Sequence, residues 1–333
     1  MKERDYYFDN AKLFLIFLVV LGHFLRPYIE KNELVHSVYV WIFLFHMPAF
    51  VLISGYFSKN FHKKGYLKKM AKKILLPYFV FQLIYSLYYA FLYEQDDLSL
   101  DFLVPHWGLW FLLSLFTWNV MLYLFAKLPK IYSIGLTILL GILIGFTDVE
   151  KFLSLSRTFT FFPFFLFGFL LKKKHFSILL EKRFRLAAGV ALLCAFLVIY
   201  WMAPSSSAEW LYGSKSYTTL GVSEETGVLF KLLLYMASFF MTFCFLALIP
   251  ERKLTISTLG TRTFYVYILH GFILKYLHDA TPFPDIIAKI NGYPLLIIIS
   301  IALIFLLGSR PVIRIVKPIA ECRIPLKKQL LSR

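Results

Sequence analysis

Cysteine is scarce in this chain. Only Cys194, Cys244 and Cys322 occur among 333 residues, and their spacing matches no metal-binding motif. We place the first two inside apolar segments and the third in a basic C-terminal segment, so no disulfide bond is expected. The composition therefore excludes a disulfide-stapled module and predicts that no metal is bound.

Acidic residues are also few. The 19 Asp and Glu against 36 Lys and Arg give a formal net charge of +17. A nucleic-acid surface would interleave basic and aromatic residues in a polar segment, and no such segment occurs. We attribute the charge to membrane topology and to anionic lipids, and expect membrane lipids but no nucleic acid as partners.

Long polar segments are missing, which excludes a separate soluble domain. The residues are 59% hydrophobic, and apolar runs approach the ~20 residues that a helix needs to cross a bilayer. We predict an all-α polytopic membrane protein that forms a single domain over 1–333. Its ten predicted spans are 10–29, 36–57, 74–93, 108–126, 131–147, 158–171, 186–203, 227–249, 263–278 and 293–309. The sixth is short and contains Pro163, so it is expected to be tilted, broken or partly re-entrant.

The charge distribution provides an independent test of this topology. If the N-terminus is cytoplasmic, the inner segments hold 27 of the 36 basic residues and the outer segments hold 6. The acidic residues show the opposite bias, with 13 outside and 6 inside. Such a bias would collapse if one span were missed or added. We therefore expect both termini inside the cell, with 310–333 as a basic cytoplasmic tail.

The first span carries two ionisable residues, Lys12 and His23. On a helix, eleven steps of about 100° bring the second side chain to within about 20° of the direction of the first. The same eleven steps separate the two side chains by about 16 Å along the helix axis. Ionisable groups are costly inside hydrocarbon, so the pair predicts a site that reaches into the membrane. Histidine is the usual proton carrier at neutral pH, which makes His23 a candidate general base.

Two more histidines fall within spans, His46 in FHMPAF and His270 in FYVYILHGF. Each is either part of the same site or a helix-packing group. His106 and Trp110 open the fourth span, where indole rings either form an interfacial belt or pack on a sugar. We assign these four residues to substrate binding.

Lys69, Lys72 and Lys73 precede the third span at positions i, i+3 and i+4. On a helix these residues share one face, which suits either a phosphate-rich ligand or lipid headgroups.

Several segments resemble the large membrane acyltransferase family, family three, that O-acetylates carbohydrates, and most closely its fucose 4-O-acetylase-like branch. The first is the basic-x10-His pattern formed by Lys12 and His23 in DNAKLFLIFLVVLGHF. The others follow in the family's order along the chain. They are FHMPAFVLISGYF (45–57), the basic run before LLPY (66–78), HWGLWFLLSLF (106–116) and STLGTRTFYVYILHGF (257–272).

The resemblance implies transfer of an acetyl group from cytoplasmic acetyl-CoA to a sugar hydroxyl in the bacterial cell envelope. It also implies a location in the cytoplasmic membrane. His23 would be the catalytic histidine and Lys12 its basic partner, either binding a CoA phosphate or stabilising the developing oxyanion. The family's Arg-x-x-Arg element would fall on Lys69 and Lys72, where lysines cannot make the bidentate phosphate contacts of arginine.

The residues alone also permit a proton-coupled transporter or flippase of a sugar or polysaccharide precursor, with the intramembrane His and Lys as a relay. No internal repeat is visible, which argues against that alternative. The sugar acceptor, the acyl group and the oligomeric state stay open at this level.

Overall fold

The computed structural model describes residues 5–94, 100–149, 151–204 and 207–321, and these ranges contain helices but no strands. The N-terminal half begins with two long helices and continues through shorter ones. Its helices are α1 (Tyr6–Leu25), α2 (Glu33–Phe57), α3 (Tyr66–Met70), α4 (Leu76–Leu92), α5 (Trp110–Phe125), α6 (Lys130–Leu143) and α7 (Leu155–Leu170). A π-helical turn, Ala71–Leu75, joins α3 to α4, and a 3-10 turn, Trp107–Leu109, leads into α5.

Eight helices lie in the described residues of the C-terminal half. These are α8 (Lys173–Leu179), α9 (Lys182–Met202), α10 (Ser207–Leu211), α11 (Glu224–Leu248), α12 (Thr263–Asp279), α13 (Phe283–Lys289), α14 (Leu295–Leu307) and α15 (Arg310–Ala320). Cys194 and Cys244 are free thiols, and Cys322 lies outside the described residues.

Each of the ten predicted spans coincides with a helical segment. Within the described ranges, seven segments are long and apolar enough to cross a membrane, and an eighth is possible if α14 and α15 form one broken span. The predicted fifth span is a shorter apolar helix, Lys130–Phe146, and α12 has 17 residues. The protein is therefore an all-helical polytopic membrane protein, while the count of ten and the cytoplasmic termini stay predictions.

Helix α7 is continuous through Pro163, which favours a tilted span over a broken one. Neighbouring helices satisfy backbone carbonyls near the proline, as membrane helices require. Trp118 Nε1 donates to the carbonyl of Thr158 at 2.7 Å, and the Tyr235 hydroxyl donates to that of Thr160 at 2.8 Å.

The segment predicted as a basic tail begins with a helix that packs on the body of the protein. Helix α15 bends by 65° from α14 and contacts α4 and α12. Its end is fixed by the Tyr265 hydroxyl, which donates to Glu321 Oε1 at 2.9 Å. Residues 322–333 lie outside the described residues.

Helix α1 is largely buried and is held at its N-terminal end by a polar anchor. Asn10 Nδ2 donates to the carbonyls of Pro250 and Arg252 at 2.8 and 3.0 Å, and Ser257 Oγ donates to Asn10 Oδ1 at 2.5 Å. These bonds fix the depth and rotation of α1, and so fix which of its faces meets the neighbouring helices.

Helices α2 and α7 approach closely through a reciprocal pair of glycines. A Cβ atom on Gly168 would lie 1.9 Å from the carbonyl oxygen of Leu52, and one on Gly55 would lie 1.9 Å from that of Phe165. Only glycine allows this backbone approach, which is how small residues bring membrane helices together.

Gly168→Ala is expected to destabilise the protein by about 1–3 kcal/mol, because the methyl group would force the two backbones apart. Thermal unfolding of the detergent-solubilised chain measures this loss. Gly189→Ala on α9 is the matched control, because its new methyl group would meet only the Leu248 side chain at 4.0 Å. Equal unfolding temperatures for the two variants would contradict the close packing.

Candidate functional site

One face of α1 lines two cavities in succession. Lys12, Ile16 and Val19 border the first cavity, and Val19, His23 and Arg26 border the second. Steps of three and four residues place these side chains in one stripe along the helix. The predicted alignment of Lys12 with His23 therefore holds in the structure.

The first cavity, here called the basic cavity, has a volume of about 670 Å³. Five lysines line it, whereas no acidic residue does so in the described part of the chain. Its deeper walls are apolar and are supplied by α1, α2, α5 and α12. The five lysines are Lys12, Lys63, Lys64, Lys69 and Lys73.

The second cavity, here called the histidine cavity, has a volume of about 220 Å³. His23, His46 and His270 line it from three different helices. Its other polar or aromatic walls, among the described residues, are Arg26, Tyr39, Phe43, Trp107, Trp110, Arg157, Phe161, Tyr212 and Tyr267.

The two cavities share three lining residues, Val19, Met47 and Tyr267. These side chains form the wall between them, one from each of α1, α2 and α12. The Tyr267 hydroxyl donates to the carbonyl of Gly108, which fixes the phenol in this position. Because Met47 is flexible and Val19 is small, a modest side-chain movement would join the cavities into one tunnel.

His23, Trp107 and His270 form a cluster of rings in the histidine cavity. The His23 ring centroid lies 4.4 Å from that of Trp107 and 5.5 Å from that of His270. Trp107 has a φ of +34°, an unusual value for a non-glycine residue. Such strained conformations occur at functional sites, and here the strain accompanies an indole ring placed against both histidines.

Hydrogen bonds define the proton positions on two of the three histidines. His46 Nδ1 lies 3.0 Å from the carbonyl of Ile42, and His270 Nδ1 lies 2.6 Å from that of Tyr267. A carbonyl only accepts, so in both neutral rings Nδ1 carries the proton and Nε2 keeps a free lone pair. His270 Nε2 is buried and has no hydrogen-bond partner among the described residues, so it can accept one from a ligand.

Arg157, which the sequence patterns did not identify, lies in the wall of the histidine cavity. Its Nε donates to the carbonyl of Tyr212 at 3.2 Å, and its guanidinium lies 5.2 Å from the centre of the Trp110 indole. The hydropathy pattern assigned it to a loop outside the sixth span. The signal that could have identified it is an arginine directly before the aromatic-rich predicted span 158–171.

His106 does not line either cavity, unlike its neighbour Trp107. Its Nε2 pairs with Ser86 Oγ at 2.8 Å, and its backbone N–H donates to Gln82 Oε1 at 2.9 Å. Partial burial lowers the pKa of His106, with the charge of Asp101 acting in the opposite direction. The turned backbone at Trp107 presents the indole to the histidine cavity, whereas the role predicted for His106 in substrate binding stays a prediction.

Lys12 and Lys72 differ in their relation to the basic cavity. Lys72 does not line the basic cavity although Lys69 and Lys73 do, because the π-helical turn at Ala71–Leu75 changes the spacing of an α-helix. Lys12 lies in the basic cavity, paired with Asp9 at 3.0 Å, and not beside His23. The two roles suggested for Lys12, a phosphate contact and oxyanion stabilisation, stay predictions.

These features define a polytopic membrane protein with two adjoining cavities inside its helical bundle. Residues 5–309 match the family described as an acyltransferase domain, and the chain belongs to that family, as the resemblance predicted.

Two curated proteins are similar to part of the chain. It is 30% identical over 183 residues to nodulation protein NolL of Mesorhizobium japonicum, covering 50% of this chain and 48% of that protein. It is 28% identical over 183 residues to nodulation protein NolL of Sinorhizobium fredii, covering 50% and 49%. The chain thus spans about half the length of the curated relatives it matches. No solved structure matches the chain significantly.

Proposed function

We propose that this protein transfers an acetyl group from acetyl-CoA, bound in the basic cavity, to a carbohydrate hydroxyl in the histidine cavity. His23 serves as the general base. The observation that carries the proposal is the shared wall: among the described residues, Val19, Met47 and Tyr267 line both the lysine-lined cavity and the one lined by histidines and aromatic rings.

The basic cavity suits a long ligand with phosphates at one end and a slender chain at the other. Lys63, Lys64, Lys69 and Lys73 lie where the cavity is exposed, and ammonium groups bind phosphate as point charges. Apolar walls from α1, α2, α5 and α12 line the rest of the cavity, including Val19 beside the histidine cavity. Acetyl-CoA fits this arrangement, and it would supply the activated thioester.

The histidine cavity suits a sugar ring. Trp107 and Trp110 offer indole faces on which a ring can pack, while the imidazole and hydroxyl groups of the walls hydrogen-bond its hydroxyls. Its volume of about 220 Å³ accommodates one sugar residue more readily than several.

His23 performs the proton chemistry. A sugar hydroxyl is a weak nucleophile, so His23 takes its proton as the new carbon–oxygen bond forms. His23 then returns the proton to the sulfur as the carbon–sulfur bond breaks. His270 Nε2 accepts a hydrogen bond in the same cavity and so orients the acceptor for attack.

We place the basic cavity on the cytoplasmic side of the bacterial membrane, where acetyl-CoA is available. This orientation agrees with the excess of Lys and Arg in the inner segments. Transfer then runs directly across the bundle, without a covalent intermediate on a Ser or Cys side chain.

Mass spectrometry of cell-envelope glycans, with and without this protein, tests the proposal. Loss of one O-acetyl mass on deletion, restored by the wild-type chain, is the expected result. Unchanged glycans together with substrate-dependent proton flux in liposomes would instead indicate a transporter.

The lysines provide a matched kinetic test. The double variant Lys69→Gln/Lys73→Gln is expected to raise KM for acetyl-CoA about fivefold with little change in kcat, since exposed charge pairs contribute modestly. Lys72→Gln should leave both constants unchanged because Lys72 does not line the cavity. Equal effects of the two substitutions would contradict the assignment and favour a general attraction to lipid.

A further inference from the structure

Arg157 is a guanidinium whose hydrogen-bonding capacity is largely unused. Arginine has five N–H donors, and only the bond from Nε to the Tyr212 carbonyl occupies one of them among the described residues. The side chain is partly buried and lines the histidine cavity. The guanidinium lies 5.2 Å from the centre of the Trp110 indole, and no hydrogen bond described for this side chain occupies its terminal nitrogens, which leaves them available to a ligand.

No carboxylate in the described part of the chain pairs with the charge of Arg157. Within the described residues, the acidic side chains that form ion pairs do so with other cations, and none of them pairs with Arg157. No residue lining the histidine cavity is acidic in this part of the chain. A guanidinium withdrawn from water is costly unless an anion pairs with it.

Other cations increase the positive potential around the cavity. Arg26 lines the same cavity, 5.9 Å from the ring of Tyr212, although it also lies 4.0 Å from Glu30. The buried Lys231 lines a small neighbouring cavity that shares Phe43 and Phe161 with the histidine cavity. Its ammonium group donates only to Thr160 Oγ1, at 3.0 Å, among the described contacts. A neutral sugar would leave this concentration of positive charge uncompensated.

We infer that the acceptor is a carbohydrate that carries an anionic group, a carboxylate or a phosphate, bound by Arg157. The planar guanidinium matches either group with two parallel hydrogen bonds. The anion then fixes the sugar relative to His23, so that Arg157 selects the acceptor while the histidine performs the proton transfer. This inference rests on the proposed carbohydrate acceptor and narrows its chemical class.

Direct binding measurements separate this inference from the proposed reaction. The purified full chain in nanodiscs is titrated with methyl glucoside, methyl glucuronide and methyl glucoside 6-phosphate. Tryptophan fluorescence reports binding, because Trp107 and Trp110 line the cavity. We expect at least one anionic sugar to bind roughly tenfold or more tightly than the neutral one, as charge-assisted bonds allow. Comparing the affinities for the two anionic sugars then shows whether a carboxylate or a phosphate is preferred.

Variants of two arginines complete the test. Arg157→Gln should abolish the preference for the anionic sugar, and Arg157→Lys should retain part of it. Arg183→Gln is the matched control, because this exposed arginine also lies over an aromatic ring, Phe184, but lines neither cavity. Thermal unfolding and gel filtration exclude misfolding as the cause of any loss.

Three results would overturn the inference. They are no saturable response to either anionic sugar, equal affinity for the neutral sugar, and an anion preference that persists in Arg157→Gln. Acetyl transfer measured in parallel keeps the proposed function separate, since an active enzyme without anion preference would refute only the role of Arg157.

Discussion

Replacing His23 with alanine is expected to reduce acetyl transfer by about 10²–10⁴-fold, the range typical of losing a general base. The substitution removes the imidazole that lies beside Trp107 and His270 while leaving the lysines of the basic cavity in place. Binding of acetyl-CoA should therefore persist. His23→Gln, which preserves a polar side chain but takes no proton at neutral pH, should be equally inactive.

The measurement is the rate of CoA release in proteoliposomes, with membrane insertion checked separately. His62→Ala is the control, because His62 is exposed and lines neither cavity. Substantial activity in His23→Ala would show that another group acts as the general base, and His270 would be the first candidate.

Gly271→Ala is expected to lower turnover by about 10²-fold through displacement of Trp107. A Cβ atom at this position would lie 2.3 Å from the Trp107 ring and 2.3 Å from the Tyr85 hydroxyl. Both distances are too short for nonbonded atoms, so the indole must move from its position beside His23 and His270. A misplacement of about 1 Å in a catalytic site can cost this much activity.

Gly135→Ala on α6 is the matched control, because nothing lies within 4 Å of its added methyl group. Alanine at an exposed helical position should keep full activity and add up to about 1 kcal/mol of stability. Full activity in Gly271→Ala would show that the position of the Trp107 ring does not matter for the reaction.

The sequence predicted the helical architecture well where hydropathy and helical period decide it. Each predicted span coincides with a helix, since long apolar runs in a membrane must satisfy their own backbone hydrogen bonds. Hydropathy does not define where a helix bends. The 65° bend between α14 and α15 falls where Ser309 caps the new helix and Pro311 lies in its first turn, a local signal that a hydropathy profile does not contain.

The geometry of the candidate site was predictable along a single helix, while five residues named from other segments also line the cavities: His46, Lys69, Lys73, Trp110 and His270. The period of α1 placed Lys12 and His23 on one face, and both line cavities in the structure. Arg157 lies in its cavity because of Trp110 and Tyr212, contacts distant in sequence that no local pattern encodes. The turned backbone of Trp107 was likewise unpredictable, because tryptophan rarely adopts a positive φ.

In the proposed reaction, donor and acceptor enter from opposite faces of the membrane and meet at the wall formed by Val19, Met47 and Tyr267. The most direct test uses sealed inside-out membrane vesicles that enclose the envelope glycan, with isotopically labelled acetyl-CoA added only outside. We predict that labelled acetyl groups appear on the enclosed glycan while CoA remains outside, and that Met47→Trp blocks the transfer. Labelling confined to acceptors on the same side as acetyl-CoA would contradict the account.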